Sequence, residues 1–244
     1  MPEFRFATHG GARIRYLDSG GDDRGAPIVF VPGFTDVADD YVEIVAALGR
    51  RCAVVELRGH GHSTAGENRY DSDALAADVG AVVDELTDGP VHVMTFSRGT
   101  AYALSWALAN WPRVRSVSIG DYVPAELIVP DDAYEAVLGG RWRGTPVSER
   151  LDRAAVTATF HAARAQSFWE PLSHWQPPLL AVRSPTTPLI DDADWARYHA
   201  LFPTARLMEF ADSPHDVFRP DRQRYPLLVR EHVEAADPHC LSAK

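Results

Sequence analysis

Residues 95–99 read Thr-Phe-Ser-Arg-Gly, set between the apolar run Val91-His92-Val93-Met94 and the helix-forming stretch Thr100-Ala101-Tyr102-Ala103-Leu104. A strand, a sharp turn carrying one serine and a helix would lift the Ser97 hydroxyl clear of a sheet edge and leave the next backbone N–H groups free at a positive helix end. That makes Ser97 a candidate nucleophile. A serine hydroxyl attacks poorly unless a base takes its proton, and the base must be held in the right tautomer by an acceptor. Ten histidines can be weighed for that part. The plainer reading is a Ser-x-Gly turn that only starts a helix, and Thr95 stands where such a motif usually has its first glycine.

The elements that would position these groups follow from patterning. Strand-like and helix-like segments alternate along most of the chain, which predicts an α/β fold with a mostly parallel sheet and helices on both faces. The start is different: residues 4–7 and 12–17 alternate apolar with polar around His9-Gly10-Gly11, the pattern of an antiparallel hairpin. Apolar runs predict further strands at 28–31, 53–57, 91–94, 114–119, 179–183 and 206–210. Helices are expected over about 37–48, with Asp36 as its cap, then 73–86, from the turn after Ser97 to near Asn110, 193–201 and 221–234.

Between Pro124 and about Pro178 the alternation lapses into helix-like segments, notably 149–168 with Ala154, Ala155, Ala158, Ala162 and Ala163, and Trp142, Phe168, Trp169 and Trp175 gather there. An insertion after a strand's carboxyl end sits over the crevice where open α/β sheets bind ligands. We therefore expect a core of residues 1–123 and 176–244 with a small helical lid over 124–175. For most of those aromatics, packing the lid onto the core is a sufficient role.

Composition narrows the partners. A chain of 244 residues with 45% apolar content can bury one substantial core, so a single core is expected. Its 24 basic against 34 acidic side chains give a net charge of −10, a field that repels phosphate backbones and anionic lipid surfaces. The expected partner is a small molecule, with neither nucleic acid nor membrane. Cys52 and Cys240 form no disulfide framework and no paired metal spacing. His60-Gly61-His62 can be imagined as a chelate, but a structural loop explains it better, and no metal is expected. The N-terminus has no charged-then-apolar leader and no run approaches eighteen apolar residues, so a cytoplasmic protein is expected.

Four segments, in order, resemble the α/β-hydrolase family over nearly the whole chain. Pro32-Gly33-Phe34 is similar to its oxyanion loop, with proline for the usual histidine, and Glu56-Leu57-Arg58-Gly59-His60-Gly61-His62-Ser63 to its Asp-x-Arg-Gly-x-Gly-x-Ser loop. The serine turn and Ser213-Pro214-His215-Asp216, after the last strand, complete the set. The resemblance implies Ser97 as nucleophile, His215 as base, and backbone N–H groups of Phe34 and Arg98 as the oxyanion hole. Thr95 and Thr100 replace glycines frequent in the family's turn.

The acid departs from the common pattern. Where the family usually offers an aspartate after the strand ending near Arg183, this chain has Thr187, and Asp191 and Asp192 are better placed as helix caps. Some family members carry the acid after the preceding strand instead, where Asp121 stands. We choose Asp121. A structural role for Asp121 beside a Ser-His dyad stays open, as does a salt bridge of Arg98 to Asp121 or Asp36. Glu56 and Arg58 are expected to organise their loop. Phe34, Tyr122 and Trp142 are expected to line an apolar substrate channel.

These features together imply a serine hydrolase that cleaves a small or medium ester or lactone through an acyl-enzyme, with no cofactor. Relatives that use aspartate at the turn, the epoxide hydrolases and haloalkane dehalogenases, are disfavoured. Two alternatives remain: a cofactor-free non-hydrolytic enzyme of the same fold, or a protein that binds a small molecule without turnover.

Overall fold

The opening strands, β1 (Glu3–His9) and β2 (Ala12–Asp18), pair antiparallel in register Ala7 with Ile14, and both turn residues, Gly10 and Gly11, have positive φ. The computed structural model describes residues 1–21, 25–66, 69–186 and 189–237. Next come β3 (Ile28–Val31), β4 (Cys52–Val55), α1 (Ser72–Leu86), β5 (Val91–Phe96), α2 (Gly99–Ala109) and β6 (Val114–Gly120). Strands β3, β4 and β5 are buried at every residue, as continuous apolar runs covered on both faces must be. Helix α1 is capped by Asp71, whose carboxylate accepts the Ala74 N–H at 3.0 Å.

The helix expected over 37–48 is instead two short 3-10 turns, Ala38–Tyr41 and Val45–Leu48. Its first N–H groups are drawn off by side chains: Val37 donates to Asp40 and Ala38 to Glu56. Asp36 caps nothing. Its two oxygens take the Gly33 N–H and the Trp142 indole N–H.

After β6 the chain runs through β7 (Ala125–Glu126), α3 (Asp131–Leu138), the two-residue strands β8 (Arg141–Trp142) and β9 (Thr145–Pro146), α4 (Arg153–Ala162), β10 (Gln166–Ser167) and α5 (Trp169–Trp175). The long helix expected over 149–168 is thus only α4, started by an Asp152 cap and stopped where Ala163 turns extended and the chain pairs with β7. Alanine propensity favoured the helix, and strand pairing with β7 overrode its end. Tyr134, Leu138, Val147, Leu151, Val156 and Phe160 form a small core of their own, against which Phe34 and Trp142 pack. Phe168, Trp169 and Leu172 join the main core instead.

The chain ends with β11 (Leu179–Arg183), α6 (Asp192–Leu201), β12 (Arg206–Glu209) and α7 (Arg224–Ala236), the last beginning three residues later than expected. The eight-stranded sheet has the order β1-β2-β4-β3-β5-β6-β11-β12, antiparallel through the first two pairs and parallel from β4 onward. Along β5, Val91 and Val93 face the layer of α1, α2 and α6, while Met94 and Phe96 face α7 and the 3-10 turns. The parallel strands therefore end together, and Ser97, Asp121 and Ser184 follow the carboxyl ends of three neighbours. Among the described residues, no helix is long and apolar enough to cross a membrane. Cys240, His239 and Thr187 lie outside the described residues.

Candidate active site

Ser97 sits between β5 and α2 with φ at +51°, a left-handed conformation that non-glycine residues hold only where the surroundings impose it. Its N–H donates to Gly120 O at 2.9 Å, tying the turn to the end of β6. The turn is pressed onto the end of β3: a Cβ added to Gly99 would stand 2.1 Å from Pro32 O and 2.5 Å from Val31 O. Only glycine fits there. Thr95 and Thr100 do not disturb this turn. Their hydroxyls meet at 2.8 Å beneath it, so each buried oxygen has a partner.

The three side chains far apart in sequence meet here. His215 Nε2 is 2.9 Å from Ser97 Oγ, and His215 Nδ1 is 2.7 Å from Asp121 Oδ2. With Nδ1–H donating to the carboxylate, Nε2 is left to accept the serine proton. Asp121 is fully buried with φ at +45°, and its other oxygen accepts the Ser184 N–H at 2.7 Å. The Phe96 ring stacks on the imidazole with centroids 5.0 Å apart. Ser213 fixes the loop, its hydroxyl donating to Arg219 O and its carbonyl accepting from Thr186. Asp191 caps α6, accepting the Asp194 N–H at 2.7 Å, and Asp192 pairs with Arg183 at 2.8 Å, so both carboxylates are engaged elsewhere.

Across the rim runs Pro32-Gly33-Phe34-Thr35. It passes within contact of the serine, since a Cβ on Gly33 would lie 2.9 Å from Ser97 Cβ. The backbone N–H groups of Phe34 and Arg98 donate to no protein acceptor among the described residues. Paired donors rigidly held beside a serine hydroxyl have the arrangement a developing oxyanion would need. Thr35 is strained, with φ at +79°. Burial raises the Asp36 carboxyl to about 6, against the pull of Arg143 and the Trp142 hydrogen bond.

A cavity of about 570 Å³ opens beside Ser97 and His215, walled by Phe34, Phe96, Tyr122, Trp142 and Phe160. Phe34, Tyr122 and Trp142 thus line it together. The Arg98 side chain pairs with neither Asp121 nor Asp36: it donates to Tyr102 Oη and Leu127 O, both at 2.9 Å, and lies 3.7 Å from Glu126. The carboxylates considered for it are held by other donors. Glu56 and Arg58 do organise the 56–63 loop. Glu56 accepts the His62 and Ser63 N–H groups, and Arg58 makes two 2.6 Å contacts with Asp78. His60 donates from Nδ1 to Arg58 O, and burial lowers its pKa to about 4. Among the described residues no group of three or more His, Cys, Asp or Glu side chains is arranged to hold a metal ion.

Sequence reasoning missed a cluster under the rim: Asp36, Asp40, Asp216, Arg143 and Arg150. Arg143 holds Asp216 with two 2.9 Å hydrogen bonds, and Arg150 donates to Thr35 O at 2.7 Å. The only sequence signal was the crowding of aspartates after Gly33, and it points equally well to a cap.

A family model described as alpha/beta hydrolase fold matches residues 26–177. Among curated proteins, the non-heme chloroperoxidase CPO-A1 of Kitasatospora aureofaciens is 29% identical over 145 residues, covering 54% of this chain and 52% of that one. The chain spans about half the length, or less, of the curated relatives it matches. Among solved structures, the enol-lactonase of Burkholderia xenovorans LB400 aligns at a TM-score of 0.78 with 19% identity, covering 94% of this chain and all of that one. The esterase RhEst1 of Rhodococcus sp. ECU1013 aligns at 0.77 with 20% identity, covering 96% and 99%. Likeness at these identities concerns the fold.

Proposed function

The chain belongs to the α/β-hydrolase family, and from that premise we propose that it is a serine hydrolase of small or medium carboxylic esters or lactones. The observation that carries the reading is the continuous hydrogen-bonded line from Ser97 Oγ through His215 to Asp121, at 2.9 and 2.7 Å, beside two backbone N–H groups with no acceptor among the described residues. His215 Nε2 takes the hydroxyl proton as Ser97 Oγ attacks the substrate carbonyl carbon. The Phe34 and Arg98 N–H groups hold the oxyanion, and Asp121 stabilises the imidazolium. His215 then delivers the proton to the leaving alcohol, or to the ring oxygen of a lactone. Water, activated by the same imidazole, hydrolyses the acyl-enzyme. The chain's own groups carry every step.

The apolar wall of Phe34, Tyr122 and Trp142 favours a substrate with an apolar group next to the scissile carbonyl. We read residues 124–175 as the lid that closes this cavity, and the protein as one acting on small molecules in a reducing cytoplasm. The test is covalent labelling with a fluorophosphonate, followed by turnover of graded p-nitrophenyl esters and several lactones. Labelling at Ser97 and its loss in Ser97→Ala is the expected result. Conversion that survives Ser97→Ala would instead mean non-hydrolytic chemistry, and a probe-inert protein that still binds small apolar molecules would mean a binding protein.

A further inference from the structure

The turn that presents the Phe34 N–H is held in large part from the segment above it. Asp36 is the bracket: Oδ2 accepts the Gly33 N–H at 3.0 Å, and Oδ1 accepts the Trp142 indole N–H at 2.8 Å. Arg143, at the tip of the β8–β9 hairpin, brings Nη1 to 3.4 Å from that same Oδ1 and 3.7 Å from Asp40. Its Nε and Nη2 reach in the other direction, each 2.9 Å from an oxygen of Asp216, the residue after His215. One guanidinium therefore spans the loop of the oxyanion turn and the loop of the base. It is buried, with 7% of its side chain exposed, and packs over the rings of Tyr41 and Phe218. Arg150 adds a second tie, donating to the carbonyl of strained Thr35 and pairing with Asp40.

We propose that Arg143 is a positioning residue of the reaction: it fixes the oxyanion turn and the His215 loop relative to each other, which makes the hairpin at 141–146 part of transition-state stabilisation. The inference rests on the hydrolase reading. Arg143 is not among the side chains that line the cavity, so its effect must pass through the loops. Without it, Asp36, Asp40 and Asp216 face one another with one counter-charge fewer, and the Asp36 bracket on Gly33 loses the cation beside it. The Phe34 N–H then no longer sits where the oxyanion develops. A lysine cannot substitute, because an ammonium is a point charge and cannot make a planar fork to Asp216 while reaching Asp36.

The experiment compares wild type, Arg143→Ala and Arg143→Lys on the best p-nitrophenyl ester, together with inhibition by a boronic acid that mimics the tetrahedral adduct. Expected are a fall in kcat of about 100-fold for both variants, the size of one oxyanion donor lost, and KM within about twofold. Boronate affinity should fall by the same factor as kcat/KM, and added guanidinium should recover part of the activity of Arg143→Ala. Arg153→Ala, on the exposed face of α4, should behave as wild type. If Arg143→Ala does not fold, Arg143→Lys, which keeps the charge, decides. Wild-type kcat and boronate affinity in Arg143→Lys, or a rise in KM alone, would overturn the proposal. A wild type that neither turns over esters nor labels at Ser97 would sink the hydrolase reading instead, a different outcome from active variants.

Discussion

Two serine–histidine–aspartate arrays lie at opposite ends of the same strands. At the carboxyl ends of β5 and β6 are Ser97, His215 and Asp121. At the amino ends, Ser116 Oγ lies 2.8 Å from His92 Nδ1, and His92 Nε2 lies 3.0 Å from Asp237 Oδ1. The spacings match those of the rim within a few tenths of an ångström, so connectivity alone does not mark an array as catalytic. What differs is everything around the hydroxyl. Ser116 lies within a strand, wholly buried, and is not among the residues lining the cavity, whereas Ser97 stands on a left-handed turn beside it. The lower imidazole is reversed, with Nε2–H directed at the acid and Nδ1 accepting from serine, and Arg50 shares the acid at 2.7 Å. Burial lowers the His92 pKa to about 4, so it is a poor proton acceptor near neutrality. The carboxyl ends of parallel strands supply free loops and a helix N-terminus; the amino ends supply packing.

Mutating the two serines gives the sharpest contrast. Ser97→Ala is expected to lower kcat by on the order of 10⁶-fold with little change in melting temperature. Ser116→Ala should leave kcat within about twofold and lower stability by about 1 kcal/mol, the ordinary worth of a buried hydrogen bond. Ester turnover by purified protein and a thermal melt read both. Turnover lost in Ser116→Ala without loss of fold would erase the distinction between the two ends.

The acids come next. Asp121→Asn keeps the shape but favours the wrong imidazole tautomer, and should cost about 10⁴-fold in kcat. Asp237→Asn should be silent in kcat and visible only in the melt. Asp191→Asn and Asp192→Asn should also keep near-wild-type turnover, since one caps α6 and the other pairs with Arg183. A pre-steady-state burst measured for each variant separates slow acylation from poor folding. An unchanged burst rate in Asp121→Asn would remove it from the relay and leave a Ser-His dyad.

The contrast also explains what the sequence could reveal. The order of strand, turn and motif makes the meeting of Ser97, His215 and Asp121 at one rim readable, because loops that follow parallel strands gather at one edge whatever the intervening chain does. The Asp36–Arg143–Asp216 cluster was not readable. Its ion pairs join residues 73 and about 107 positions apart, and nothing local in Trp142-Arg143-Gly144 marks a buried guanidinium. The 37–48 segment has apolar spacing that suits a helix, but Asp40 and Glu56 take the N–H groups of Val37 and Ala38, and two tight turns result. His92 read simply as a strand residue; its partners Ser116 and Asp237 come together only after the sheet forms.

The smallest effect tests the lower array by its titration. A histidine of ordinary pKa 6.5 in the unfolded chain is held neutral in the fold down to about 4. Between those values the unfolded chain binds the proton and the folded one does not, so stability is full above about 6.5 and is lost as pH falls toward 4. The groups facing His92 are Arg50, Asp237, Ser116 and, farther off, His232. Burial and the Arg50 charge act against the imidazolium, whereas Asp237 favours it. Burial wins. The free energy at stake is at most about 3 kcal/mol. In His92→Gln, denaturant midpoints measured from pH 7 to 4.5 should therefore fall less steeply than in wild type. They should still fall, because His60 and His232 are depressed in the same direction by their own burial. Turnover at pH 7.5 should stay near wild type. A slope identical to wild type would mean that the fold does not hold His92 neutral, and access to the cavity would then be what separates the lower array from the rim.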